Sequence, residues 1–396
     1  MALGGVKVLD LTRMHAGPFA SMILGDLGAT VLKIEPPSGD ETRRLTLFSY
    51  GPMSAFFVPS NRNKRSLALD LNAPNDRERF DDLLQDADVL MDNFRPSTLQ
   101  RMGLDYQSVV KKNPDIISVS VTGYGEGSPD ADNPAYDLLV QAQSGIMSLT
   151  GEPDSNPVKV GVPIGDLLAG VYAALGTVAA LYQRRITGKG QRIEVAMLDS
   201  QIAVLCYHYT YYDASGSILP RIGSAHHNMV PYGLFRCSDG FLALAVVPEP
   251  IKFWHSTCEA IGRPEWITDE RFATGPARVA NREELDQRLE EIFHKHPRSY
   301  WVQKLKEAGV PVASVNEIRD LADDEQVQSR NMIVELASPA YGRVHVPGNP
   351  SRWPEPAQRA SGYRRLSLET ARTMKLCARS GRRARNRQTH RMGLYR

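Results

Sequence analysis

One aspartate stands where a carboxylate can do covalent chemistry. Asp166 lies in GVPIGDLLAG, residues 161–170, where a loop containing Pro and Gly runs into a long apolar stretch. A carboxylate at such a junction sits near the free N–H groups of a helix N-terminus. It can act as an ordinary N-cap, a role in which Asp is favoured. It can also be held ionised at neutral pH and aimed at an electrophile. Gly165, just before it, permits close backbone approach. Positive charge gathers in short segments elsewhere: Arg43 and Arg44, then Asn63, Lys64 and Arg65, then Arg95 and Arg101 beside Asn93 and Phe94. A basic loop of this kind is either a solvated face or a site for anionic groups. His15, in the turn HAGP at residues 15–18, is either structural or a polar member of a reactive centre.

Such residues need elements to hold them. Residues 6–11 form a short apolar strand that runs into HAGP, with Pro18 placed where a helix can begin. Residues 19–27 fit that helix, and Gly28 closes it. Residues 30–34 read as a second strand, 76–87 as an amphipathic helix, 89–91 as a strand, 97–112 as helix and 116–121 as a buried strand. This alternation predicts an α/β fold with a Rossmann-like parallel sheet. The ligand site then belongs at one edge of strand ends. The first turn reads HAGPFA, not G-x-G-x-x-G, so nothing supports a dinucleotide cofactor.

Near Tyr232 the character changes. A hairpin is expected around Ser238, Asp239 and Gly240, followed by helices at 250–261, 282–295 and 300–308 and strands at 310–315 and 332–336. The expected layout is a large α/β domain at 1–205, a linker at 206–231 and a smaller α+β domain at 232–330. Residues 331–350 return to the large domain, and 351–396 form a divergent basic tail.

The composition is 42% hydrophobic and 23% charged, that of a soluble globular enzyme. Cys206, Cys237, Cys258 and Cys377 are too sparse for a disulfide framework and lack metal-ligand spacing, which points to a reducing, cytoplasmic setting. The N-terminus has no signal-like segment. The longest apolar run, 167–182, falls short of the roughly 20 residues that span a bilayer, so a buried helix and no membrane partner are expected. Residues 351–396 hold 12 Arg and 1 Lys against 2 Glu, a net of +11, which leaves −9 on the rest of a chain of net charge +2. The tail reads as a solvated extension in preference to a nucleic-acid arm.

Eight segments in order carry a further resemblance. They are VLDLTRMHAGP from Val8, GDLGATVLKIEPPSGDETR from Gly25, NRNKRSLALDL from Asn61, DNFRPSTLQRMGLDY from Asp92, VTGYGEGSP from Val121, AYDLLVQAQSGIMSLTG from Ala135, GDLLAG from Gly165 and GKGQRIEVAMLDS from Gly188. Together, over about residues 4–350, they resemble the family III CoA-transferases, whose fold is shared by the α-methylacyl-CoA racemases. The resemblance implies that Asp166 is the catalytic aspartate. It implies CoA contacts from Arg43, Arg44, Asn63, Lys64, Arg65, Asn93, Phe94, Arg95 and Arg101, with His15, Tyr124 and Asp137 near the centre. It implies an interlocked homodimer, no permanently bound cofactor and no metal, with a coenzyme A thioester and a carboxylic acid as substrates.

The chemistry suits the residue. An ionised carboxylate attacks a thioester to form a mixed anhydride, the released CoA thiolate forms an aspartyl-CoA thioester, and the acceptor acid reverses the cycle. Backbone N–H groups must stabilise the oxyanions, and water must be kept out. The racemases carry Gly-His-Asp where this chain has Ala135, Tyr136 and Asp137. Tyrosine, with a pKa of about 10 in model peptides, suits two-base racemisation poorly. Transferase chemistry is therefore expected, with racemisation or a non-catalytic binding role as competing readings. The region GSAHHNMVPYG from Gly223 lacks the glycine run of formyl-CoA transferase, which argues against oxalate as acceptor. The expected donor is succinyl-CoA and the expected acceptor a dicarboxylate, whose distal carboxylate could meet Arg221, His226 or His227.

Overall fold

The computed structural model describes residues 1–45, 47–338 and 342–352. Its centre is a parallel sheet of β1 (Lys7–Asp10), β2 (Thr30–Glu35), β5 (Lys64–Ala68), β6 (Val89–Asp92), β7 (Ile117–Thr122) and β8 (Gln191–Ala196). A two-residue hairpin, β3 (Ser49–Tyr50) with β4 (Met53–Ser54), lies between β2 and β5 in the chain. The spatial order is β5-β2-β1-β6-β7-β8. The chain winds outward from β1 to β5, then returns to place β6 on the other side of β1. That reversal opens a crevice beyond the carboxyl ends of β1 and β6. All residues of β6 and β7 are buried, as befits strands covered on both faces.

Helices α1 (Ala16–Asp26), α2 (Phe57–Asn61), α3 (Pro74–Gln85), α4 (Pro96–Met102), α5 (Tyr106–Lys112), α6 (Asp137–Gln143), α7 (Ile146–Leu149), α8 (Ile164–Thr187), α9 (Met197–Ala203) and α10 (Tyr207–Ser215) complete this part. On one face, Ala16, Ala20 and Leu24 of α1 join Ala169 and Ala173 of α8 over Val8, Val89 and Val119. On the other, Phe80, Leu84, Leu99 and Val109 from α3, α4 and α5 cover Leu9 and Leu90. The buried face of α8 is made of small residues: Gly165, Ala169, Gly170, Ala173, Ala174, Thr177 and Ala180.

A second core lies under the antiparallel strands β9 (Tyr232–Cys237), β10 (Gly240–Ala245) and β11 (Val312–Ser314). Helices α11 (Lys252–Ala260), α12 (Gly275–Ala280), α13 (Arg282–Phe293) and α14 (Arg298–Glu307) surround it, with Trp254, Phe272, Phe293 and Trp301 inside. The last hairpin, β12 (Ile333–Ser338) with β13 (Gly342–Pro347), packs Val334, Leu336, Val344 and Val346 against Met53, Phe57 and Val58 near the large sheet.

Several sequence expectations change. Helix α1 begins at Ala16, not at residue 19, because proline is tolerated in a first helical turn. The helix expected at 97–112 is two, broken where Gly103 adopts a left-handed φ of 60° and Asp105 caps the next helix at Ser108 N–H. Strands β5 and β8 were hidden: the first by its basic residues, the second by alternating charge on a half-exposed edge. Helix α8 has 24 residues and by length and composition could cross a bilayer, so the 16-residue apolar run underestimated it. The span expected as linker holds helix α10, whose tyrosines stand exposed in the single chain: Tyr209 is 61% and Tyr212 50% accessible. From residue 353 the basic tail lies outside the described residues.

Gly170 tests the seam between α1 and α8. A Cβ there would lie 2.8 Å from the Ala16 carbonyl oxygen and 2.9 Å from a Phe19 ring carbon. Gly170→Ala should therefore cost about 1–3 kcal/mol as overpacking. The expected readout is a lower denaturation midpoint at unchanged m-value; an unmoved midpoint would show that the helices do not meet there.

Candidate active site

Asp166 is not the N-cap of its helix. Pro163 holds that position and caps nothing with its side chain. The cap comes from another element: Asp137, in the first turn of α6, accepts the Gly165 N–H at 2.8 Å. Its second oxygen accepts the Gln141 side-chain amide at 2.7 Å. Gln141 in turn accepts the Val160 N–H at 2.8 Å, which ties down the loop leading into α8. Gly165 leaves no room for a side chain: a Cβ would stand 2.5 Å from Gln201 Nε2 and 3.1 Å from Asp137 Oδ1.

With the start of α8 capped by Asp137, the Asp166 carboxyl lies near the Ala16 backbone N–H at the start of α1, which favours its charged form. That amide opens α1, where the helix dipole favours negative charge. The pKa nevertheless moves the other way. Burial is the larger cause, the neighbouring Asp137 charge adds to it, and the Ala16 N–H offsets only part, so the carboxyl is pushed up to about 7. Near pH 7 the group therefore divides between acid and carboxylate.

His15 precedes Ala16 as the N-cap residue of α1. Its Nδ1 lies 3.2 Å from the Ser60 hydroxyl, and its ring centre lies 5.3 Å from that of Phe56. Burial pulls its pKa below the usual histidine value, against the attraction of Asp137. A neutral imidazole thus stands in the same small region as Asp166, Asp137 and the Ala16 amide.

A cavity of about 190 Å³ opens at the crevice between the strand ends. Leu11, Leu69, Leu71 and Phe94 give it apolar walls, with Arg13 and Asn72 among the polar ones. The Arg13 guanidinium lies 5.3 Å above the Phe94 ring. Asn93 grips the Arg13 backbone from both sides, accepting its N–H at 2.8 Å and donating to its carbonyl at 2.7 Å. The cavity is smaller than the roughly 300–1,000 Å³ of a drug-sized ligand site. Two residues, Met14 and His15, lie between Arg13 and Ala16, so at most about 10 Å of backbone joins the cavity wall to the Ala16 amide.

The remaining cations divide. Arg44, Arg65, Arg95 and Arg101 are exposed. Arg43 forms a two-pronged pair with Glu35 at 2.7 and 2.5 Å and lies 4.2 Å from the Phe57 ring centre. Lys64, expected to meet CoA, is instead buried with its ammonium against Asp10 at 3.0 Å. Asn63 gives its amide to Asp26 at 2.6 Å. Tyr124 is half-buried against the core. Arg221 donates to the Ser155 carbonyl, and Arg282 donates to the His226 carbonyl at 2.6 Å. The sequence reading missed Arg13, the cavity wall at Leu69–Asn72 and the Ala16 amide. Arg13 sat unread inside LTRMHAGP; a backbone amide leaves no mark in a sequence.

The doubly wound sheet thus sets a helix-borne carboxyl beside the turn that follows the first strand. Residues 3–362 match CoA-transferase family III, and the chain belongs to that family. It is 39% identical to acetyl-CoA:oxalate CoA-transferase of Acetobacter aceti over 87% of each chain. It is 37% identical to succinyl-CoA:glutarate CoA-transferase of Mus musculus, over 89% of this chain and 80% of that protein. A solved CAIB/BAIF family protein from Brucella suis superposes with a TM-score of 0.82 at 37% identity, covering 92% of this chain and 96% of that one.

The proton balance at Asp166 makes a prediction. Activity that needs the carboxylate should rise with pH through about 7. Asp137→Asn keeps an oxygen for the Gly165 N–H and removes the like charge, so this limb should move to lower pH. Asp92, also buried and pushed up to about 7, lies among Ser120, Phe94, Arg192 and Glu126 with no contribution from Asp137. A limb in kcat/KM that stays in place in Asp137→Asn would therefore assign it away from Asp166.

Proposed function

We propose that this enzyme moves coenzyme A from succinyl-CoA to a dicarboxylic acid, with Asp166 as nucleophile. The observation that carries this reading is the Asp166 carboxylate: relieved of capping by Asp137, facing the Ala16 amide, and close along the chain to a cavity for a flat group. The mouse relative supplies the donor and the dicarboxylate class by name. The Acetobacter relative is named for oxalate, so oxalate belongs beside glutarate among acceptors to test, despite the missing glycine run.

The reaction runs through four bond exchanges. Ionised Asp166 attacks the thioester carbonyl, and CoA thiolate leaves a mixed anhydride. The thiolate attacks the Asp166 carbonyl, releasing succinate and leaving aspartyl-CoA. The acceptor carboxylate attacks that thioester, again expelling the thiolate. The thiolate then attacks the acceptor's carbonyl, giving the new CoA ester and free Asp166. The Ala16 N–H is placed to stabilise oxyanion character at the aspartyl carboxyl, and neutral His15 can hydrogen-bond to the substrate acid. The adenine of CoA goes into the cavity between Phe94, Leu69 and Leu71, under Arg13. Its phosphates meet exposed cations, of which Arg44, Arg65, Arg95 and Arg101 are the candidates. No permanently bound cofactor takes part.

The same reading includes an interlocked homodimer of two-domain chains in a cytoplasmic setting. Its support is apolar surface that a lone chain leaves wet: Leu175, Tyr182 and Ile186 of α8 are 61%, 69% and 68% accessible, beside the tyrosines of α10.

Asp166→Ala should abolish transfer while acyl-CoA binding persists, since a lost nucleophile removes the path itself. Wild-type enzyme with succinyl-CoA alone should show, by mass spectrometry, a CoA adduct on the peptide containing Asp166. A folded Asp166→Ala enzyme with near-parental turnover would sink the mechanism. With succinyl-CoA as donor, glutarate, oxalate and monocarboxylates should separate by kcat/KM, the dicarboxylates leading; rapid solvent-deuterium uptake at C2 of a 2-methylacyl-CoA would favour racemase chemistry instead.

A further inference from the structure

Two of the three cations of NRNKRS, Arg62 and Lys64, are held at helix α1. Lys64 is 3% exposed. Its ammonium lies 3.0 Å from Asp10 Oδ2 and donates to the Pro18 carbonyl and to Asn61 Oδ1, each at 3.0 Å. Asp10 also accepts the Thr12 N–H at 2.9 Å, the Ser21 hydroxyl at 2.6 Å and the Thr12 hydroxyl. Lys33 joins the same cluster, at 2.6 Å from the Thr12 carbonyl and 2.9 Å from Asp40. At the far end of α1, Arg62 holds Asp26 through bonds of 3.0 and 2.6 Å, and the Asn63 amide adds a third. These contacts fall on both ends of the helix whose opening amide faces Asp166.

The charges are mutually dependent. Burial would raise Asp10, but Lys64, Lys33 and the two hydroxyls outweigh it and hold the carboxyl down at about 2. Burial lowers Lys64 to about 8, with Asp10 pulling the other way, so the pair is ionised near pH 7. Lys64 could reach a phosphate only by leaving a buried carboxylate short of a partner. The geometry of α1 explains why such a clamp is useful. Its seam with α8 is built from small residues, which let the backbones approach closely but interlock weakly along the axis. Directional bonds to Asp10, Pro18 and Ser21 resist that sliding.

We propose that residues 61–64 clamp the first turn of α1 onto Asp166, and that Lys64 is a positioning residue for CoA transfer and not a ligand of CoA. This rests on Asp166 as the nucleophile. The groups that face Asp166 are Asp137 from α6 and, from α1, the Ala16 amide, with His15 beside it; the clamp controls the α1 members.

The test is steady-state kinetics of Lys64→Gln with succinyl-CoA and a dicarboxylate across pH. A displaced first turn should lower kcat by roughly 10- to 100-fold. KM for succinyl-CoA should stay within about threefold, as for an interaction that does not bind substrate directly. The acid limb should move to higher pH, because the Ala16 N–H that favours the carboxylate withdraws. Adding Asp10→Asn, which removes the stranded charge, should restore part of kcat. Ser21→Ala keeps both charges and should show the same changes at smaller size; it decides the matter if Lys64→Gln does not fold. A raised KM for succinyl-CoA at unchanged kcat would make Lys64 a CoA ligand and overturn the proposal. So would folded variants with unchanged kcat and an unmoved limb. An active Asp166→Ala enzyme would instead bring down the nucleophile reading, whereas an inactive one beside unaffected clamp variants would bring down the clamp alone.

Discussion

Two helix beginnings meet at one point, and the site follows from that meeting. Helix α8 presents Asp166 in its first turn; helix α1 presents the Ala16 amide in its own. Aligned backbone dipoles make each start an attractive place for negative charge. They can come this close only because their shared face is glycine and alanine. At Gly170 even one methyl would strike the Ala16 carbonyl. The small-residue face of α8 is thus a condition for the meeting of the two helix starts.

Close approach of two helix starts also crowds charge. Asp137 supplies the cap that Asp166 would otherwise give, and so releases the Asp166 carboxyl toward α1. The same placement sets two carboxyls near each other in a half-buried region, which raises the proton affinity of the one not hydrogen-bonded to its own helix. A carboxyl pushed up to about 7 is divided between acid and carboxylate near neutral pH. A strongly acidic carboxylate would be a good leaving group and a poor attacker.

The sheet order gives the site its neighbour. Where the chain reverses between β1 and β6, the loops after those strands have no crossing connection above them. Asn93 from one loop grips the backbone of Arg13 in the other, and the cavity forms beside that grip. One short loop therefore carries both Arg13, at the cavity, and Ala16, beside the Asp166 carboxyl. The apolar outer faces of α8 and α10 remain uncovered in the single chain.

Much of the architecture was legible in the sequence because it depends on local periodicity. The strands ending at Asp10, Glu35, Asp92 and Thr122, the hairpin at Ser238-Asp239 and the helices around it follow from apolar spacing and turn residues, and so does the parallel α/β class. The family's ordered segments likewise pointed to Asp166. What local pattern cannot carry is pairing between distant residues. Lys64 looked like a surface cation because its counter-ion, Asp10, lies 54 positions away in the sequence; only the packing of β5 beside β2 and under α1 buries the two together. Asp166 looked like a cap because its helix start was visible and Asp137 was not yet beside it. Residue type and spacing determined which chemistry was available to this chain. Tertiary structure decided which charges were free to perform it, because desolvation and partnership are set by neighbours in space, and these are chosen by the fold.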